Sequence, residues 1–519
     1  MKRMLALVLC FALLLGGCGA KNALGLSAVV KFEEMEYVRP DMDAVAAAAQ
    51  AAMDAVESAE DADALMEAVW DFYDQYELFN TAYDLAYIGH HTWLSDILWE
   101  KEHSFCAENA PTLDQYLEEL YCAMAASPHR SALEADYFGE GWFEDFDGES
   151  ILDEELVNLL EQEQQLIARY HEAYADSLGM DYAFDGMPLA EILAQLVNLR
   201  RDIAQAAGYD CYTDFAWDYY YYRDYTPTES RAYLEQIQAL APLYAQLYND
   251  DAFTAADYSA EEEEVFGYVK SAAKGMGGVA WDAFRLLEQG ELYNIGYSRE
   301  KSGLSFELYF SRYAEPYILV SGEGSQYDCL TFAHEFGHFA ADYAAAGSMA
   351  GIDVMEIFSQ AMELLSLEYA EDGETLTEVK LADAFCSYIE QAALAAFELA
   401  MYDLPEEQVT GESLLNLYER ICIEYGLDAG VYWEPWELVS TLHFYSNPLY
   451  VISYVVSGDA ALQIYELETQ TPGAGRDLFL ESLDTEQSYF LAFLEEAGLE
   501  SPFDRVDEVK ALMESRLSS

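Results

Sequence analysis

His334 and His338 stand four residues apart with Glu335 between them, in the run Thr331-Phe332-Ala333-His334-Glu335-Phe336-Gly337-His338-Phe339-Ala340. The run is apolar at helical spacing. Four residues of helix advance about 400° and 6 Å, so both imidazoles leave one face and can grip one metal ion. Glu335 then lies beside the ion's open position. Zinc, one per chain, is the expected ion, and with Glu335 as general base the chemistry is hydrolysis of an amide. A third ligand is sought on a following helix, and the stretch from Asp353 to Glu363 offers Glu356 and Glu363 on a shared helical face. Glu356 is read as the third metal ligand. Glu363 is read either as the partner of a ligand histidine or as an ordinary core-edge carboxylate.

These side chains need elements to carry them. Gly347 and Gly351 predict a turn after the histidine helix, so that the next helix returns antiparallel and presents Glu356. From about Asp41 to Ala175 apolar positions recur at helical spacing, with breaks at Ser127-Pro128 and Gly139-Glu140-Gly141, and further helical runs span Ile151 to Leu178 and Leu189 to Ala207. Tyr219 to Tyr222 read as packing. Between Leu304 and Val320 the short apolar and aromatic runs are those of strands, ending at the loop Ser321-Gly322-Glu323-Gly324-Ser325, which is too short for a phosphate cradle. Helices follow to the C-terminus, and no repeat of solenoid length occurs.

The chain has 519 residues, 24 Lys and Arg against 97 Asp and Glu, and a net charge of -73, which excludes a nucleic-acid footprint. The 14% aromatic content argues against disorder despite that charge. The acidity reads either as a solvated shell or as a channel that draws in cationic peptides. Lys2 and Arg3 precede an apolar run from Met4 to Leu15, too short to span a membrane but right for an export signal. Leu15-Gly16-Gly17-Cys18 looks like the bacterial lipobox, so residues 1–17 are expected to be a lipoprotein signal peptide and Cys18 the acylated, palmitate-bearing N-terminus. The expected location is the extracytoplasmic face of the cell membrane. Cys106, Cys122, Cys211, Cys329, Cys386 and Cys422 form no C-x-x-C pair and read as free, buried thiols. His90, His91, His103, His129 and His171 share no metal-ligand spacing and read as structural.

The metal segment resembles the zinc oligopeptidases related to oligoendopeptidase F and thimet oligopeptidase. There H-E-F-G-H is followed by E-x-x-S-x-x-x-E, matched here by Glu356, Ser359 and Glu363 across a somewhat shorter loop. The resemblance continues at His443-Phe444-Tyr445-Ser446-Asn447-Pro448-Leu449-Tyr450 and on to Tyr454. It implies that Tyr450 donates a hydrogen bond to the tetrahedral oxyanion, with His443 close by and Tyr454 as a second phenol. Such a donor is worth about 2.7–4 kcal/mol. Weaker likeness covers Leu199 to Ala204, Gly208-Tyr209, Tyr87 to Ser127, and the strand Tyr317 to Ser321, which it places beside the substrate backbone. The implied fold is mainly α: a zincin-like, two-lobed helical peptidase with a deep substrate channel and a small sheet at the active site. Residues 18–40 are read as a lipid-anchored tether, 41–188 as an N-terminal helical lobe and 189–519 as the catalytic domain. The expected function is zinc-dependent endopeptidase action on internal bonds of short oligopeptides outside the cytoplasm. The alternatives are a dipeptidyl carboxypeptidase of the angiotensin-converting type and a non-catalytic peptide-capturing lipoprotein. Oligopeptides and the membrane are the expected partners, nucleic acid is not, and the oligomeric state stays open.

Overall fold

The computed structural model describes residues 29–518 apart from 149, 178–185, 250–258, 348–349 and 431–433. The export signal and Cys18 lie outside the described residues. The fold is mainly helical with one small sheet.

The N-terminal part is built from α1 (Met42–Ser58), α2 (Ala62–Thr92) and α3 (Ile97–Ala126). Each starts at an aspartate, Asp41, Asp61 or Asp96, whose carboxylate accepts a first-turn amide that has no intrahelical partner. Their apolar faces close a small core that runs from Val45 to Phe146 and includes Phe72, Tyr121 and Phe143. A second, larger core takes in almost all of the remaining buried apolar residues, beginning with Leu85 and Ile88 of α2, so that α2 serves both. Helices α4 (Glu154–Ser177) and α5 (Met187–Ala206) belong to it, as do α6 (Glu262–Met276) and α7 (Gly278–Gly290). The tyrosines at 219–222 pack as expected, with Tyr219 stacked on Phe215.

The sheet has strands β1 (Tyr293–Asn294), β2 (Phe306–Phe310) and β3 (Glu315–Leu319) in the order β1-β3-β2. β2 and β3 are antiparallel, and β1 lies parallel to β3. Sequence patterning finds β2 and β3 but misses β1, which is too short to show any alternation. One expectation is corrected here. β3, the strand from Tyr317, is fully buried between two neighbours, so its edges are already paired and it cannot run beside a substrate. β1 and β2 each pair β3 alone, and the longer of these two edge strands among the described residues is β2.

The site lies on α8 (Tyr327–Ala345), α9 (Ile352–Tyr369), α10 (Thr377–Asp403), the one-turn helix α11 (His443–Ser446) and α12 (Ile452–Gln470). None of the six described cysteines is in a disulfide, and five are buried as expected; Cys211 is exposed, at a helix start where its sulfur accepts the Asp214 amide.

Candidate active site

Two helices bring the metal-binding side chains together. α8 ends with Ala346 and Gly347 at positive φ, and α9 starts after Gly351, so the glycine-bounded turn reverses the chain as the spacing predicts. How closely α8 and α9 approach is set by Gly337, since a Cβ there would meet the Phe358 carbonyl oxygen at 2.5 Å and the Ser359 Cα at 2.6 Å. The fourth residue of the pentad, Gly337, is therefore a packing requirement: only glycine lets the backbone of α9 pass against α8.

Across that contact His334, His338 and Glu356 bring three ligand atoms within 4.8 Å of one another. The Glu356 carboxylate lies 3.4 Å from His334 Nε2 and 3.7 Å from His338 Nε2. Its other partners are the Ser359 hydroxyl, donating at 2.7 Å, and the Tyr450 hydroxyl. Burial alone would raise the Glu356 pKa, but His338, His334 and Tyr450 hold it down at about 2. Burial pulls His338 down to about 4, leaving its nitrogen lone pair available. Two imidazole nitrogens and one carboxylate form the donor set of a catalytic zinc site, and the residues fit that ion.

Glu363 resolves to one of its two readings. Its carboxylate accepts from His334 Nδ1 at 2.8 Å, which turns Nε2 toward Glu356. It is itself held by Lys380 on α10 at 2.6 Å, and Lys380 also reaches Asp383 at 3.0 Å. Lys380 and Asp383 escape sequence reasoning. A signal did exist: in a chain with 24 basic residues, Lys380 sits among the buried apolar positions of α10. Glu335 is buried one residue from His334, and burial raises its pKa to about 8.

His443, Tyr450 and Tyr454 converge as the resemblance implies, with ring centroids 5.3–5.7 Å apart. The Tyr454 hydroxyl lies 3.3 Å from His443 Nε2. Two buried arginines fix this segment. Arg200 pairs with Glu163 at 2.5 Å and donates to the Phe444 and Tyr445 carbonyls of α11. Arg223 pairs with Asp353 at the start of α9 and donates to the Leu449 carbonyl at 3.0 Å, its guanidinium lying 4.3 Å from the Trp217 and Tyr221 ring centres. Leu449 has φ 66°, a conformation costly to a branched side chain, and its amide donates to Glu398 at 2.6 Å. The strained residue directly precedes Tyr450, so these contacts set where the phenol points.

Comparison with known proteins agrees with this geometry. Residues 32–147 match the Peptidase M3 N-terminal domain and residues 293–502 match Peptidase family M3, together more than half of the chain. Among solved structures, PZ peptidase A with an inhibitor has a TM-score of 0.79 at 20% identity, over 94% of this chain and 99% of that one. A Bacillus anthracis chain assigned to oligoendopeptidase F has a TM-score of 0.76 at 19% identity, over 95% and 99%. Oligoendopeptidase-F from Enterococcus faecium has 0.59 at 13%, over 92% and 97%. No curated protein matches by sequence. The structural likeness carries the fold, and the two sequence matches carry the family: the chain belongs to peptidase family M3 and is a metallopeptidase.

Proposed function

We propose that the protein is a zinc-dependent oligoendopeptidase that hydrolyses internal bonds of short peptides. The observation that carries the reading is the convergence of His334, His338 and Glu356 beside Glu335. When bound there, zinc supplies a Lewis acid that acidifies water and offsets negative charge. Glu335 accepts the proton of the attacking water and returns it to the leaving amine. The Tyr450 hydroxyl, with His443 beside it, moves from Glu356 to the developing oxyanion, and Tyr454 orients His443 through its hydroxyl. Glu363 keeps the His334 proton on Nδ1, and Lys380 keeps Glu363 ionised. The free edge of β2, which packs against α8, takes the peptide as an added extended strand.

In the same reading, the basic flank, apolar run and Leu15-Gly16-Gly17-Cys18 send the chain out of the cytoplasm and tether it to the membrane through an acylated Cys18. No described helix is long and apolar enough to cross a membrane. Cys18→Ser moving the protein from the membrane to the soluble fraction supports the anchor; unchanged fractionation refutes it.

The activity is tested on purified protein with mixed pools of end-blocked and of unblocked oligopeptides, with and without a chelator. Zinc at the His334, His338 and Glu356 set and chelator-sensitive internal cuts are expected. Cuts confined to free C-terminal dipeptides would make the protein a dipeptidyl carboxypeptidase, and binding without cuts at full zinc would make it a capture protein.

A further inference from the structure

Half of the chain's eight histidines surround one cavity away from His334 and His338. His90 and His91 come from the end of α2, His103 from α3 and His171 from α4, so the cluster arises only on folding and no spacing in the chain announces it. The cavity holds about 570 Å³. His90 is central, its ring centroid 4.9 Å from His91, 4.9 Å from His103 and 5.9 Å from His171. These separations bracket the 5.2 Å between His334 and His338, two rings that can share one ion. His91 is oriented from behind, its Nδ1 2.8 Å from the Ser302 hydroxyl while the Ser302 amide donates to the His91 carbonyl. Such a fixed nitrogen is the usual accompaniment of a ligand imidazole.

The electrostatics favour a cation. Glu100, Glu108 and Glu172 line the same cavity against the single Arg169. Burial lowers the pKa of all four histidines, so their nitrogens keep lone pairs at neutral pH without competition from protons. Ligation still requires motion. Among the described residues only His334, His338 and Glu356 bring three ligand atoms within 4.8 Å, and His90 and His103 lie face to face at 6°. Binding at this cluster therefore requires the rings to rotate into the cavity.

We propose that the cavity walled by His90, His103 and His171, with His91 behind them, binds a divalent late-transition-metal ion of the zinc, copper and nickel type, separately from the catalytic set. Imidazole donors without thiolate select this class. The ion would tie α2 and α3 to α4, whose His171 lies 3.5 Å from the Ser446 hydroxyl beside the catalytic segment. It would thus join the N-terminal helices to the catalytic body.

The test is metal stoichiometry on the metal-stripped whole protein, titrated with Zn²⁺ alone and then with Cu²⁺ alone. The parent is expected to hold two ions, and the His103→Ala/His171→Ala and His334→Ala/His338→Ala variants one each. The Cu²⁺ left in His334→Ala/His338→Ala should show electron-paramagnetic coupling to at least three imidazole nitrogens. One ion on the parent, or coupling to fewer than three nitrogens in that variant, overturns the proposal. The second variant decides the matter even if the first fails to fold, and neither readout depends on peptidase activity.

Discussion

At the scale of the residue, Glu335 and Lys380 make different predictions although both act on one site. Glu335 is not one of the three metal-binding side chains, and in the proposed mechanism it takes the proton of the attacking water. Glu335→Gln is therefore expected to keep the zinc held by His334, His338 and Glu356 while lowering turnover at least about 10²–10⁴-fold. Parent-like turnover in a zinc-loaded variant would sink the mechanism. Lys380 acts through Glu363 and His334. Lys380→Met should weaken zinc binding about 10–100-fold, with Lys380→Arg recovering most of it, as measured by competition with a chromophoric chelator. Equal affinity in all three proteins would show that Glu363 holds its position unaided. The pentad and Glu356 are legible in the chain because ligand chemistry restricts both residue type and helical spacing, whereas the 443–454 segment is read only from the family resemblance. Lys380 and Arg223 are not legible, because their partners Glu363 and Asp353 stand 17 and 130 residues away and only packing selects them.

At the scale of the element, the contact of α8 with α9 depends on one missing side chain. Gly337→Ala would drive a methyl group into the Phe358 carbonyl and the Ser359 backbone, neither of which can rotate away. Overpacking of this kind costs about 1–3 kcal/mol, and here it also withdraws Glu356 from the histidines. The expected outcome is a lower melting temperature and lost zinc together; a variant that binds zinc like the parent would show that the helices can separate without penalty. Helix limits were legible in part, from the start near Asp41 to the break at Ser127-Pro128, since periodicity and breaker residues are local. The order of the sheet was not. Which of two strands lies in the middle is decided by β1, a pair of residues whose only mark is its pairing with Ile318 and Leu319.

At the scale of the whole molecule, the acidity has a consequence for stability. Burial raises the carboxyls of Glu77, Asp114 and Glu390 to about 7 and that of Glu398 to about 8. Each binds a proton in the fold that it releases near pH 4 to 4.5 when unfolded, so the stabilisation is complete below the unfolded values and is lost as pH climbs through 7 to 8. Repulsion within a net charge of -73 adds in the same direction. Calorimetry of the chelator-treated protein at constant ionic strength should give a higher melting temperature at pH 5 than at pH 8. A flat or rising profile would mean that these carboxyls are ionised in the fold. The position of β2 at the edge of the sheet also reaches beyond architecture. A strand that recognises its guest through amides and carbonyls reads the conformation of a peptide and is nearly blind to its spelling. N-methylation or proline at a paired position should abolish capture, while most exchanges of side chain leave it intact. Such a reader suits an enzyme that disposes of peptides it has never met.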